Sequence, residues 1–282
     1  MKLDGRQLAE GIRDRLKLQV EDLKKRGVAP HLAVVLIGNN PNSLIYVRQK
    51  RIQAEKVGVI FSLHKYSPET PYAKVVAKIK RLGNDSTIHG LIVQRPIPPP
   101  FSNDLTNLVP SEKDVDGFLS NSPFDPPVAL AVLKCLESIF AQVTPFKVST
   151  YRKFLQWLRS KKIIILGRGE TAGKPIAQLF TKHEVPFEVI HSKTKNRQSL
   201  LKSADIMITA VGKPRVVMPT DLKRGVILIG IGLDSENEKL IGDYDESQIE
   251  SIASFYTPTP GGTGPVNVAS LVENVVRAAG ES

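Results

Sequence analysis

A single cysteine, Cys135, stands among the 282 residues. One thiol can neither close an intrachain disulfide nor build a cysteine metal cage, and a reducing cytoplasm suits such a chain best. The thiol lies in the apolar helical pattern ALAVLKCLESIF, where it reads as a buried structural group and not as a nucleophile. Long apolar runs are lacking as well. No stretch of roughly 18 uncharged apolar residues occurs, which removes a membrane-spanning helix from the reading. The opening MKLDGRQLAEGIRDRLKL alternates charge with aliphatics and has no apolar signal core followed by a small-residue cleavage site, so export is not expected. Acidic residues fall short of basic ones, 28 against 39, and the formal charge of +11 favours anionic partners. Most of the basic residues nevertheless alternate with acids on helix faces, as in RDRLKLQVEDLKKR. The one acid-free basic stretch, residues 147–162, reads by default as a solvated helix face, and no nucleic-acid motif accompanies it. Neither a nucleic acid nor a membrane is expected as a partner.

What is present is an alternation of helical and strand patterns along almost the whole chain, the signature of an α/β architecture with mainly parallel strands. A helix runs from about Arg6 to Arg26, with Asp4 as its cap. LAVVLIG at 32–38 and IHGLIVQ at 88–94 are continuous apolar runs, as expected of strands covered on both faces. The prolines of RPIPPPFS then end regular structure. A second α/β series opens with KKIIILGRGETAGKPIAQLF and continues through FEVIHS, DIMITAVG and GVILIGIG. Two lobes follow from this, with a seam near 141–148: residues 1–141 form the first, joined by a returning helix at 265–282, and residues 142–264 form the second.

IIILGRGETAGKP is a strand, a Gly-rich turn and a helix start, the setting in which backbone N–H groups hold a pyrophosphate. Gly167, Gly169 and Gly173 are spaced one residue wider than the common dinucleotide fingerprint, and a βα turn that binds nothing is a real alternative. The next strand ends in Ser192 and Lys193, where an acid would accept from a ribose hydroxyl, and Arg168 stands in the turn. That combination favours NADP over NAD. Gly212 and Gly230 follow two further apolar strands, at the edge where open α/β sheets bind ligands, although each could be an ordinary turn glycine. In LIYVRQKRIQAEKVGV, Tyr46 and Lys50 are four apart and share a helix face; they could touch one ligand, while a surface lysine lying along a packed tyrosine is the stronger reading on spacing alone.

Taken in order, YVRQK, HGLIVQRPIP, KDVDG, GRGETAGKP, HSKT and TPTPGGTGPVNVASL resemble the bifunctional methylenetetrahydrofolate dehydrogenase/methenyltetrahydrofolate cyclohydrolase family over nearly the whole chain. The resemblance implies an N-terminal folate-binding lobe, a Rossmann-like NADP-binding lobe, tetrahydrofolate derivatives as substrates and a homodimer. It implies that Tyr46 stacks on the folate, Lys50 is the catalytic amine, Gln94 hydrogen-bonds near it and Asp116 holds the pterin. Val47, Val93, Arg95, Pro260, Gly261 and Gly262 would complete the substrate site, and no metal is implied. Gly167, Arg168, Gly169, Ser192, Gly212 and Ile231 would hold the cofactor. EKDVDG is also good turn chemistry, and Asp114 competes with Asp116 for the assignment.

Three features depart from the family pattern. Gly169 replaces a serine in the nucleotide turn, the loop after Gly117 is shortened, and Arg95 stands where an aliphatic residue is common, either to meet the glutamate tail of folate or to point outward. Two other functions remain in view: a different two-lobed NADP-dependent dehydrogenase acting on a small hydroxy or amino acid, and a basic nucleic-acid-binding regulator on this fold.

Overall fold

Parallel strands, most of them without an exposed residue, organise both halves of the chain. The structure, a computed structural model, describes residues 1–144, 150–236 and 239–281. It forms two compact units: Glu10–Pro127 with Val268–Ser282, here the Lys50 unit, and Met1–Ala9 with Val128–Asn267, here the Gly-rich unit. The seam expected near 141–148 and the first residues of the basic stretch at 147 lie partly outside the described residues.

The elements begin with α1 (Gly5–Lys25), β1 (His31–Ile37), α2 (Pro41–Lys56), β2 (Ile60–Tyr66), α3 (Tyr72–Gly83) and β3 (Gly90–Val93). Asp4 caps α1 as expected, its Oδ1 accepting from the N–H groups of Arg6 and Gln7 at 2.9 and 3.1 Å. The three strands form a parallel sheet in the order β2-β1-β3. In β1 the residues Ala33, Val35 and Ile37 face one way, into a core shared with Val75 and Ile79 of α3, while Leu32, Val34 and Leu36 are equally buried on the other face. That double burial is why the run lacks alternation. The Lys50 unit is completed by the final helix, whose Asn274 is buried and donates through Nδ2 to the carbonyls of Val115 and Asp125 at 2.9 and 3.0 Å.

The Gly-rich unit follows with α4 (Pro127–Val143), α5 (Tyr151–Arg159), β4 (Ile163–Leu166), α6 (Gly173–Lys182), β5 (Glu188–Ile190), α7 (Arg197–Lys202), β6 (Ile206–Thr209), β7 (Ile227–Gly230), an antiparallel pair β8 (Leu233–Glu236) and β9 (Lys239–Gly242), α8 (Glu246–Ile249) and β10 (Phe255–Tyr256); the final helix, α9 (Thr263–Gly280), belongs to the Lys50 unit from Val268 on. Five of these strands form a parallel sheet ordered β10-β7-β6-β4-β5. The strand order reverses between β4 and β6, and such a switch point opens a crevice at the carboxyl ends of the strands. The units divide at 127/128, a helix earlier than the expected 141/142. Phe140 of α4 packs on Phe154 and Trp157 of α5 at ring distances of 5.8 and 5.4 Å, which ties α4 to the second unit. In α5 Phe154 and Leu158 are buried, and Arg152, Lys153 and Arg159 face outward as a charged helix face. Cys135 is buried in α4, and burial pushes its thiol up to about 12. Among the described residues no helix is long and apolar enough to cross a membrane.

Candidate active site

Helix α2 starts where Asn40 accepts through Oδ1 from the Ser43 N–H at 3.1 Å, with Pro41 in the first turn. Its buried residues are Ser43, Val47, Lys50 and Ala54, spaced four, three and four apart along one stripe. A lysine thus occupies a core-facing position, only 9% exposed, and its charge demands partners. Two are at hand. Lys50 Nζ donates to Gln94 Oε1 at 3.1 Å and lies 3.6 Å from Asp116 Oδ2. Gln94 follows directly on β3, continues its ladder through a 2.9 Å bond to the Val35 carbonyl, and spends its Nε2 on the Arg95 carbonyl at 2.7 Å. The carboxamide is thereby oriented with its oxygen toward the ammonium group. Tyr46, one turn before Lys50, keeps 39% of its surface exposed, and partial burial raises its phenol above the ordinary value of 10. Val47 and Val93 are buried, Val93 within the hydrophobic core.

Asp114 and Asp116, indistinguishable in sequence, occupy different environments. Asp114 is buried and fastens the loop to itself: its Oδ2 accepts from the Leu119 N–H at 2.8 Å, and its carbonyl accepts from Gly117 N–H and Ser122 Oγ at 2.9 and 3.0 Å. Burial, reinforced by the neighbouring Asp116 charge, raises its carboxyl to about 6. Between them Val115 turns into the core, leaving no room for a side chain at Gly90, and Asp116 turns to Lys50. Arg95 does not point outward. Its guanidinium lies 4.3 Å over the Phe118 ring, and Nη2 donates to Thr106 Oγ1 at 3.0 Å.

In the Gly-rich unit the candidate cofactor residues gather at the carboxyl ends of neighbouring strands. Gly167 directly follows β4, its N–H bonding the Ile190 carbonyl at 2.8 Å. Its φ of +113° and the closeness of Ala210 admit no side chain, since a Cβ would sit 2.8 Å from the Ala210 carbonyl carbon. At Gly173, the first residue of α6, a Cβ would sit 2.7 Å from the Gly167 carbonyl carbon. These two glycines let the turn close onto the start of α6 as a cradle for a pyrophosphate, formed by the backbone of the turn itself, because Lys174 N–H is spent on the Gly169 carbonyl at 3.0 Å and Pro175 has none. A Cβ at Gly169, by contrast, meets nothing within 4 Å. Arg168 is exposed in the turn; Ser192 and Lys193 are exposed two and three residues beyond β5, on a turn closed by the His191 N–H bond to Thr194 Oγ1 at 3.0 Å. Gly212 lies beyond β6, and Ile231 beyond β7, where its N–H bonds the Thr209 carbonyl at 2.8 Å. Pro260, Gly261 and Gly262 precede or open α9; Gly262 N–H donates to the Pro258 carbonyl at 2.9 Å. Among the described residues no group of three His, Cys, Asp or Glu side chains could hold a metal ion.

Residues 3–116 match the family model for the tetrahydrofolate dehydrogenase/cyclohydrolase catalytic domain, and residues 144–282 match the model for its NAD(P)-binding domain. The bifunctional protein FolD of Halalkalibacterium halodurans is 37% identical over 281 residues, covering 99% of this chain and 98% of its own length. The chain belongs to the tetrahydrofolate dehydrogenase/cyclohydrolase family. FolD of Staphylococcus epidermidis is 36% identical over 279 residues, with 98% of this chain and 95% of that protein covered. Among solved structures, the FolD methylenetetrahydrofolate dehydrogenase/cyclohydrolase of Campylobacter jejuni superposes with a TM-score of 0.90 at 31% identity, over 100% of this chain and 99% of that one. The Trypanosoma brucei methylenetetrahydrofolate dehydrogenase-cyclohydrolase, solved with NADP and an inhibitor, gives 0.88 at 26%, over 100% and 97%.

Three side chains that shape the Lys50 unit escaped the sequence reading: Phe118 and Thr106 hold Arg95, and Asn274 anchors the loop that Asp114, raised in the sequence only as a rival to Asp116, closes. A signal existed for Asn274 alone, as a polar residue on the apolar stripe of the last helix. The stripe of α2 likewise betrays Lys50, because a lysine at a core-facing position needs a reason.

Proposed function

We propose that the protein oxidises methylenetetrahydrofolate to methenyltetrahydrofolate with NADP and hydrolyses that product to formyltetrahydrofolate. The observation that carries this reading is the Lys50 ammonium group, withdrawn from solvent on a core-facing stripe and met by Gln94 and Asp116. Family membership over both units supports it, and sets aside the alternative dehydrogenase and the nucleic-acid-binding regulator.

In the hydrolysis, water adds to the methenyl carbon. Lys50, as the free amine, takes a proton from that water and returns it to N5 of the folate as the carbon–N5 bond breaks, while the remaining hydroxyl proton leaves to solvent as the C=O forms and the formyl group stays on N10. Gln94 Oε1 and Asp116 Oδ2 stabilise the ammonium group while it carries the proton. A carboxylate has two oxygens, so Asp116 can also accept from the aminopyrimidine edge of the pterin. Tyr46 offers its partly exposed ring as a stacking surface, and Arg95, held over Phe118, brings positive charge next to Gln94. The family resemblance assigns Pro260, Gly261 and Gly262 to substrate binding as well.

For the oxidation, the nicotinamide of NADP supplies the acceptor for the hydride that leaves the methylene bridge. The chain's task there is orientation. Gly167 and Gly173 shape the pyrophosphate cradle, Arg168 and Ser192 meet the 2′-phosphate, and Gly212 and Ile231 present backbone to the nicotinamide end. A cytoplasmic homodimer that feeds one-carbon units toward purine synthesis fits the lone buried thiol and the family resemblance.

Lys50→Met tests the reading. Hydrolysis of methenyltetrahydrofolate is expected to disappear while folate binding persists. Full hydrolysis in that variant removes Lys50 from its role.

A further inference from the structure

The loop after β6 is held by one carboxylate with no surface of its own. Asp243 is 0% exposed and accepts from three successive backbone N–H groups: Val211 at 3.0 Å, Gly212 at 2.8 Å and Lys213 at 3.1 Å. Its own carbonyl accepts from the Val217 N–H at 3.0 Å, so both ends of the loop are tied to one residue. Gly232, beyond β7, packs against it so closely that a Cβ there would collide with both carboxylate oxygens. The loop begins next to Ala210, whose carbonyl abuts Gly167 across the switch point.

Three consecutive N–H groups converging on one place form an anion-binding nest. Two turns at this crevice could therefore attract the pyrophosphate of a dinucleotide: the Gly-rich turn after β4 and the loop after β6. In the second, the nest is already filled from within. We propose that Asp243 is a positioning residue for NADP: by occupying the nest at 211–213 it leaves the β4 turn as the phosphate site and fixes the β6 loop in the shape that receives the nicotinamide ring, which carries no phosphate. The inference rests on the reading that this unit binds NADP. Removing the charge weakens the hold on three part-buried donors and opens a competing anion site, so the loss falls on cofactor binding.

The test is Asp243→Asn, read by the KM for NADP in the dehydrogenase reaction, with hydrolysis of supplied methenyltetrahydrofolate as the folding control. An asparagine keeps one oxygen for the Gly212 and Lys213 N–H groups but sets its NH2 against the Val211 N–H, and the KM is expected to rise at least about tenfold, the equivalent of one lost charge-assisted bond, with hydrolysis retained. A merely structural role would lower both activities through the fraction folded and leave the KM unmoved; that outcome, or an unchanged dehydrogenase, overturns the proposal. Titration of the wild-type protein with NADPH separates the two levels, because absent binding there refutes the NADP reading itself. Should the variant not fold, amide exchange in the wild type decides. Residues 211–213 are expected to exchange slowly before NADP is added and no more slowly after it, and protection that arises only with NADP refutes the assignment.

Discussion

Gly173→Ala places the nucleotide cradle under direct test. The added methyl carbon would stand 2.7 Å from the Gly167 carbonyl carbon and 3.1 Å from Arg168 Cα, and every one of these neighbours is backbone. Carbon atoms pack at about 3.5–4.0 Å, so the turn and the helix must part by roughly 1 Å, and no side chain can rotate aside to spare them. Overpacking of this kind costs about 1–3 kcal/mol, and purely backbone neighbours put this case at about 2–3. At about 2–4 °C per kcal/mol for a body of this size, thermal unfolding should begin to midpoint about 4–12 °C lower. The functional loss is larger in proportion. Donors displaced by roughly 1 Å leave hydrogen-bond range, and each such bond to a charged group contributes about 1.5–3 kcal/mol, so NADP affinity should fall at least about tenfold. Gly169→Ser, two residues past Gly167 in the same turn, is the control. Its Cβ meets open space, so unfolding should be unchanged and NADP should bind as well or better, with a hydroxyl restored to the turn. NADPH fluorescence titration and a thermal melt suffice. Wild-type affinity and melting in Gly173→Ala would refute the argument from close approach.

Other expectations follow from the same physics. Burial lowers the histidines His31, His64 and His89 below their usual 6.5, with the Asp85 charge partly opposing this at His31, Lys78 and His31 adding to it at His64, and His31 and Lys113 adding to it at His89. The unfolded chain then takes up protons first. The contribution of these histidines is complete above about pH 6.5 and declines as pH falls through the folded values; urea unfolding at stepped pH should show this, and His31→Gln with His89→Gln should flatten the decline. Asp114, raised to about 6, acts in the opposite sense: its contribution is full below the ordinary carboxylate range and is lost as pH rises through about 6. Asp114→Asn should therefore remove that component from the same urea series. Asn274→Ala strands the carbonyls of Val115 and Asp125, at a cost of about 2–4 kcal/mol, and should slow hydrolysis by loosening the loop that carries Asp116. An unchanged urea midpoint in that variant would contradict its anchoring role.

The sequence disclosed whatever repeats a local pattern. Strands β1, β3, β4, β6 and β7 are unbroken apolar runs because both faces are covered, and the Gly-rich turn is legible because close backbone approach requires glycine. Short or charged elements were silent. The β8–β9 pair lies in LDSENEKLIG, where charge masks any strand pattern, and β10 is two residues long. Choices that depend on which way a side chain turns were silent too. KDVDG offers two carboxylates of equal standing, and only the fold separates the buried Asp114 from the Asp116 that meets Lys50. Arg95 was expected outside or at a ligand's tail, yet Phe118, 23 residues later in the chain, captures it. Nothing in IGDYDE singles out Asp243 in the sequence; its three donors lie about 30 residues back, beyond the reach of any local signal.

Each unit is discontinuous along the polypeptide, since one takes in residues 1–9 and the other residues 268–282. During synthesis the three-stranded sheet of the Lys50 unit therefore waits, with Val275, which packs at Gly90 of β3, still to be made, until residues 128–267 have been completed. A gene severed between the units would yield fragments that each lack a piece of themselves, and a working half could be produced only by grafting the terminal segment back by way of a new linker.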